Sequence, residues 1–321
     1  MFIMINISST LYLISTNCWI NCFLALELNL FMFIPMIFET NLFNLEMVIK
    51  YFIIQVISSV TLMIFILLYK NIWFNLIMLI NMMNFCLLMK MGSSPMHYWY
   101  IEISNIISWK MFFMLSTWQK LGPLVILSYN LNFNLMILTI LMNSFFSMLG
   151  GMNQISLKKI LAFSSLNHLG WMIINSMISE IMMMNYFIIY MLMMMFMLIN
   201  MDQLNLKFIY QIMFLKNKTV MLSFFMYFMS LSGMPPFLGF IPKWMTVNKM
   251  MESELIMLSI ILILFSLLNL FYYFKISYYF ILNKTLKMNF LVKFNYKIVF
   301  FMMNYIIMIN FSYFIMFICY F

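Results

Sequence analysis

Eleven apolar runs, each about as long as a bilayer is thick, leave this chain little alternative to crossing a membrane many times. They cover about 2–18, 20–38, 47–69, 72–90, 107–128, 133–150, 158–178, 181–200, 219–240, 255–280 and 298–320. About 20 apolar residues in a helix span the ~30 Å of hydrocarbon. Nothing in that layer hydrogen-bonds a free peptide group, so spans of this length must be helices that satisfy their own backbone. The apolar fraction of 66% and the charged fraction of 8% over 321 residues fit no soluble domain. The sequence predicts an all-α polytopic membrane protein of about 11 transmembrane helices. It forms a single transmembrane domain over 1–321 with no soluble domain, and the longest polar stretches are 201–218 and 283–297. The piece 91–106 reads as a second half of the fourth helix, beyond a break.

The short loops give the orientation. Lys50, Lys110, Lys158, Lys159, Lys207, Lys216, Lys218, Lys284, Lys287, Lys293 and Lys297 follow the even-numbered spans, and Lys70 and Lys249 fall on the opposite side. By the positive-inside rule this puts the N-terminus on the positive, matrix-like side and the C-terminus on the other. Trp19, Trp73, Trp99, Trp109 and Trp244 fall near span ends, where amphipathic rings sit. The net charge of +9 therefore points to anionic headgroups and not to nucleic acid. All 17 basic residues are Lys, and Met occurs 43 times. That bias fits an A/T-rich organellar gene, as does the lack of a secretory leader. Cys18, Cys22, Cys86 and Cys319 all lie in apolar stretches and read as packing residues.

Against this background the buried charges stand out. Lys90 precedes Gly92 and Pro95, Lys120 precedes Gly122 and Pro123, and Lys243 follows Gly233, Pro235, Pro236, Gly239 and Pro242. Five of the six prolines in the chain lie in these three places. The sixth, Pro35, follows Glu27, a lone carboxylate about eight residues from either end of its run. A charge in the bilayer costs about 2.5–3.5 kcal/mol on insertion scales, so it marks function before structure. Helix breaks expose backbone groups that need water or polar partners, so they belong where protein or a wet cavity surrounds them. Lys120 lies near the centre of the run from Met111 to Leu127, and it must find a partner across helices or lose its proton. Lys90 and Lys243 also admit bland readings, as a snorkelling lysine and a loop lysine.

His168, beside Ser164, Ser165 and Asn167, and His97, just past Pro95, are possible proton-relay members. Two histidines without a repeat do not make a membrane haem site. Glu46 and Lys50 read as a surface i,i+4 pair. Glu39, Glu102, Glu180, Asp202, Glu252 and Glu254 read as solvated end charges. No metal-ligand spacing and no phosphate loop is present, so no cofactor or metal is expected in this chain.

The segments LALELNLFMFIPM, LLMKMGSSPMHYW, LSTWQKLGPL, GGMNQISLKKILAFSSLNHLGWM and LSGMPPFLGFIPKW carry a resemblance. In their order they resemble the second-subunit family of the mitochondrial NADH dehydrogenase, respiratory complex I, in an insect-like version. They anchor about residues 20–245; the last 75 residues resemble the family only in hydropathy. That family is similar to the Mrp-type cation/proton antiporter subunits. The resemblance implies an antiporter-like fold with two discontinuous helices and a place in the mitochondrial inner membrane. It implies a proton-translocating membrane-arm subunit of NADH:ubiquinone oxidoreductase, without a redox centre. Other membrane-arm subunits, including antiporter-like neighbours, and phospholipids would be its partners. FMN, iron–sulfur clusters, NADH and ubiquinone would be used elsewhere in the complex. It further implies that Glu27 pairs with Lys90, that Lys120 is the central relay, and that Lys243 lies in the second broken helix. Tyr100 and Ile101 depart from the family, which commonly has an apolar residue and Pro there.

Two other readings compete. A stand-alone antiporter of related architecture would transport ions when reconstituted alone. A purely structural membrane subunit would tolerate a neutral residue at position 120.

Overall fold

The computed structural model describes residues 1–38, 42–69, 75–214, 218–235 and 237–282. The last apolar run, 298–320, lies outside the described residues. So do Glu39, Lys70, Trp73, Lys216, Pro236, Lys284, Lys287, Lys293, Lys297 and Cys319.

The described residues are almost entirely helical. In chain order the α-helices are α1 (Phe2–Ser15), α2 (Trp19–Ile37), α3 (Leu42–Leu68), α4 (Leu76–Met91) and α5 (Tyr98–Ile106). Then come α6 (Trp109–Ser116), α7 (Trp118–Tyr129), α8 (Phe133–Met152), α9 (Leu157–Ile178) and α10 (Glu180–Gln203). A 3-10 turn (Ile209–Phe214) leads to α11 (Lys218–Ser232), α12 (Phe240–Glu252) and α13 (Ile256–Leu282). Among the described residues, five helices are long and apolar enough to cross a membrane: α2, α3, α8, α10 and α13.

The helices wear their amphipathy inside out, as a chain dissolved in lipid requires. On α3, Ile49, Ile53, Ile57, Val60, Ile64 and Leu67 are exposed at helical spacing. The opposite face buries Tyr51, Gln55, Ser58 and Ser59. The two serine hydroxyls donate to the carbonyls of Gln55 and Val56 one turn back, at 2.8 and 2.9 Å. Each serine hydroxyl thus meets a partner without water.

The chain divides into two compact units. The first comprises Met1–Asn143 and Met172–Met183. Within it α2 packs on α1 and α3, α4 packs on α3 and α7, and α5 packs on α3. Its core includes Leu13, Ala25, Leu30, Phe33, Phe112 and Leu124. The second comprises Ser144–Trp171 and the described residues from Met184 onward. There α13 packs on α11, α12 and the 3-10 turn. Its core includes Leu161, Trp171, Tyr190, Met194, Phe224 and Tyr272.

Several sequence expectations are corrected. The run 107–128 is two helices, α6 and α7, which meet at Thr117 (φ −118°, ψ −76°). Gly122 and Pro123 lie inside α7 and do not break it. A proline disrupts the bond back to the carbonyl four residues earlier, here Gln119, so the helix yields on its N-terminal side. Residues 98–106 form a helix, α5, beyond the break at 92–97. The ninth run ends at Ser232, seven residues before Gly239, which is the N-cap of α12. Pro242 is in the first turn of α12, where its missing N–H costs no helical bond. Lys243 is therefore helical, not a loop residue. Lys158, expected in a loop, is buried in the first turn of α9. Glu102 lies on α5 and joins Glu46 around Lys50, at 3.3 and 2.9 Å.

Candidate functional site

In the first unit, Lys90 occupies the last turn of α4. Its Nζ lies 3.4 Å from Oε1 of Glu27, on the middle of α2. The lysine side chain is 3% exposed and the carboxylate 18%, so the pair is largely removed from water. Helix α4 stops immediately afterwards because Gly92 adopts φ +68°, a left-handed conformation that costs glycine little. The N–H groups of Gly92 and Ser93 return to the carbonyls of Met89 and Leu88, both at 3.1 Å. The carbonyl of Lys90, which α4 leaves unpaired, accepts from Gln55 Nε2 at 3.1 Å. The stretch beyond Gly92 is held by the Ser94 N–H donating to Asn143 Oδ1 at 2.6 Å. Nδ1 of the buried His97 faces the Pro95 carbonyl at 3.0 Å, and its ring stacks on Tyr98. Nδ1 of His97 thus braces the turn.

Lys120 lies in the first turn of α7 and is 1% exposed. Its Nζ lies 4.4 Å from the ring centroid of Tyr100. Its neighbour Gln119 donates to Asn29 Oδ1 at 3.0 Å and reaches Asn6 Oδ1 at 3.4 Å. Asn6 in turn donates to the Asn29 carbonyl at 3.3 Å, which closes a three-amide cluster across α1, α2 and α7.

Lys90 and Lys120 border one cavity of about 20 Å³. Its polar lining is completed by Asn29, Tyr51, Gln55, Trp99, Tyr100 and Gln119, with Leu26, Leu30, Met91, Leu115 and Pro123 as apolar wall. A single water needs ~10–15 Å³ and several polar partners, and this cavity meets both requirements. The amides and Tyr100 are residues that spacing arguments miss. The usable signal was amide side chains on interior helix faces beside a buried lysine.

In the second unit, Lys243 repeats part of the Lys90 arrangement. Helix α11 ends at Gly233 (φ +79°), whose N–H and that of Met234 return to the carbonyls of Ser230 and Met229 at 3.0 and 3.3 Å. Lys243, buried in α12, donates from Nζ to the Ser232 carbonyl at 2.7 Å. That carbonyl belongs to the negative end of the α11 dipole, a favourable place for a cation. Pro235 lies in the turn between the two helices. His168, 1% exposed on α9, faces the Tyr186 hydroxyl at 2.9 Å through Nδ1 and packs on the Tyr190 ring at 4.9 Å. The serines beside it, Ser164 and Ser165, turn their hydroxyls to backbone carbonyls of their own helix.

Among the described residues, no group of three or more His, Cys, Asp or Glu side chains is placed to hold a metal ion. The chemistry this arrangement can perform is proton binding and release on amines and a carboxylate.

Residues 16–270 match the family described as NADH:quinone oxidoreductase/Mrp antiporter, TM. Among curated proteins, the chain is 36% identical over 258 residues to NADH-ubiquinone oxidoreductase chain 2 of Anopheles gambiae, covering 78% of this chain and 76% of that one. It is also 36% identical over 250 residues to the protein of that name from Locusta migratoria, covering 75% and 73%. Among solved structures, it is similar to a chain of respiratory complex I from Thermus thermophilus. The TM-score is 0.84 at 15% identity, over 97% of this chain and 77% of that one. A chain of the Mrp complex from Dietzia sp. superposes with a TM-score of 0.77 at 16% identity, over 86% and 59%.

Proposed function

The chain belongs to the NADH:quinone oxidoreductase/Mrp antiporter transmembrane family, and we propose that it moves protons on Glu27, Lys90, Lys120 and Lys243. It is a proton-translocating membrane-arm subunit of NADH:ubiquinone oxidoreductase, in company with other membrane-arm subunits. On this reading it carries no redox centre. The FMN, iron–sulfur, NADH and ubiquinone chemistry is done elsewhere in the complex, and this chain converts the resulting electrostatic change into proton movement.

The observation that carries the reading is the Glu27–Lys90 pair, whose lysine borders the same cavity as Lys120. Two charges about 4 Å apart interact by about 4 kcal/mol at an effective dielectric of 20. One proton moved against 100 mV costs about 2.3 kcal/mol. Drawing Glu27 away from Lys90 is therefore enough to change where a proton resides. The cavity between Lys90 and Lys120 has room for one water, which would link the two amines. In the second unit, Lys243 and His168 are the groups suited to the same work, with His97 as a further candidate in the first.

The remaining layout follows the same reading. The whole chain, 1–321, is a single transmembrane domain of about eleven spans with two discontinuous helices and no soluble domain. It lies in the mitochondrial inner membrane, in contact with phospholipids. With the buried Lys158 set aside, the ten-to-two distribution of lysines near the span ends supports an N-terminus on the matrix side and a C-terminus on the intermembrane-space side.

Substituting Lys90→Met in the assembled complex tests the reading. Protons moved per electron should fall while NADH-to-quinone electron transfer by assembled enzyme persists. An unchanged ratio would leave these charges a purely structural role.

A further inference from the structure

The three buried lysines meet different fields. Lys90 sits in the last turn of its helix with Glu27 beside it, and Lys243 donates to a carbonyl at the end of α11. Lys90 lies at the negative end of its own helix dipole, and Lys243, though fourth in α12, reaches the negative end of α11 with its Nζ. Lys120 is the third residue of α7, in its first turn, where the dipole presents its positive end. An ammonium group there gains from a negative surface beside it, and an aromatic ring faces it.

Nζ of Lys120 lies 4.4 Å from the centroid of Tyr100, and both residues are 1% exposed. The face of the ring carries the negative side of its quadrupole, and its hold on a cation grows when water is excluded. We propose that the face of Tyr100 is the seat of the Lys120 ammonium, making Tyr100 a positioning residue of the proton path. The inference rests on the reading of Lys120 as a proton carrier.

The backbone is built to bring that ring in. A side chain on Gly92 would place its Cβ 2.8 Å from Tyr100 Cβ, so the bare backbone of Gly92 is what lets α5 approach. Trp99 holds the ring edge-to-face, with centroids 6.0 Å apart at 82°. Tyr100 and Trp99 both line the cavity shared by Lys90 and Lys120, so the seat keeps Nζ at the cavity wall. The chemistry suits a relay. A ring face attracts an ammonium but has no proton to give and no lone pair to take one. Its hold lapses once the proton leaves, whereas a carboxylate at the same place would remain charged and compete for the proton.

The test uses the assembled complex carrying Tyr100→Leu, Tyr100→Met or Tyr100→Phe, beside Lys120→Met. The protons moved per electron should fall in the Leu and Met variants towards the value of Lys120→Met, and Phe should restore what Leu loses. If Leu and Met variants keep the full ratio while Lys120→Met loses it, the seat is refuted and the role of Lys120 stands. If Phe fails to restore the ratio, the hydroxyl and not the ring face matters, and the seat is again refuted. A full ratio in Lys120→Met overturns the underlying reading itself. Should the Leu and Met variants fail to assemble, a high-resolution map of the native complex decides. Nζ within about 6 Å of the centroid upholds the seat, and a ring turned away overturns it.

Discussion

Glu27 and Lys90 face each other at 3.4 Å between the middle of α2 and the last turn of α4, two residues before the chain turns left-handed at Gly92. The pair and the helix end are one device. The carboxylate, the dipole of α4 and the Gln55 amide on the Lys90 carbonyl together make a site where a charge is tolerated away from water.

Removing one half of that device should be costly. Breaking a buried ion pair from one side costs about 3–5 kcal/mol, and the partial exposure of Glu27 places the effect at the low end. Glu27→Gln is expected to lower the thermal stability of the membrane arm and the proton-to-electron ratio together. A thermal melt of the purified complex, followed by a pumping assay, checks both. A variant with native stability and native ratio would contradict the pairing.

Gly233 should tolerate no side chain. Its φ of +79° costs an L-residue about 1–2 kcal/mol. A Cβ there would also lie 2.8 Å from Cδ and 2.9 Å from Nζ of Lys243. Gly233→Ala should therefore dislodge Nζ from the Ser232 carbonyl and reduce pumping. Gly122→Ala is the comparison, since its Cβ would meet flexible leucine ends of Leu13 and Leu26 at 3.2 and 3.4 Å. Equal effects of the two substitutions on the proton-to-electron ratio would refute the argument.

The amide cluster should hold α7 in register. Gln119→Leu removes the donor that serves the side-chain oxygens of Asn29 and Asn6 and leaves them buried. Each unsatisfied buried group costs about 1–3 kcal/mol. The expected result is a lower melting temperature, and Gln119→Glu should not rescue it, because a carboxylate cannot donate to the two amide oxygens. A stable Gln119→Leu complex would show that the cluster is incidental.

The exposed ion pairs provide a contrast. Lys50 is 42% exposed and meets Glu46 and Glu102, which are more exposed still. Pairs of this kind contribute about 0–1 kcal/mol. Lys50→Met should leave both stability and pumping close to native, and a large loss in either measurement would mean that surface charge, and not the buried array, carries the coupling.

Much of this could be read from the chain, for identifiable reasons. Lys120 stands out because an apolar run surrounds it, and Lys90 and Lys243 because glycines and prolines flag helix ends. The i,i+4 pair of Glu46 and Lys50 is local, and it forms as spacing says. The site of the α6–α7 interruption was not legible. Proline marks a weakness, but which turn gives way depends on the carbonyls and side chains around it, here at Thr117. The contacts of Gln119 with Asn29 and Asn6 span 90 and 113 residues of chain, and no local periodicity encodes them. Tyr100 was visible only as a departure from the family pattern, and its meaning needed the position of Lys120.

The central claim is that Lys120 passes protons. The direct measurement is the proton-to-electron ratio of the assembled complex bearing Lys120→Met, taken at equal amounts of enzyme with NADH and a quinone. The account predicts a lowered ratio with electron transfer persisting. A full native ratio in that variant would contradict it.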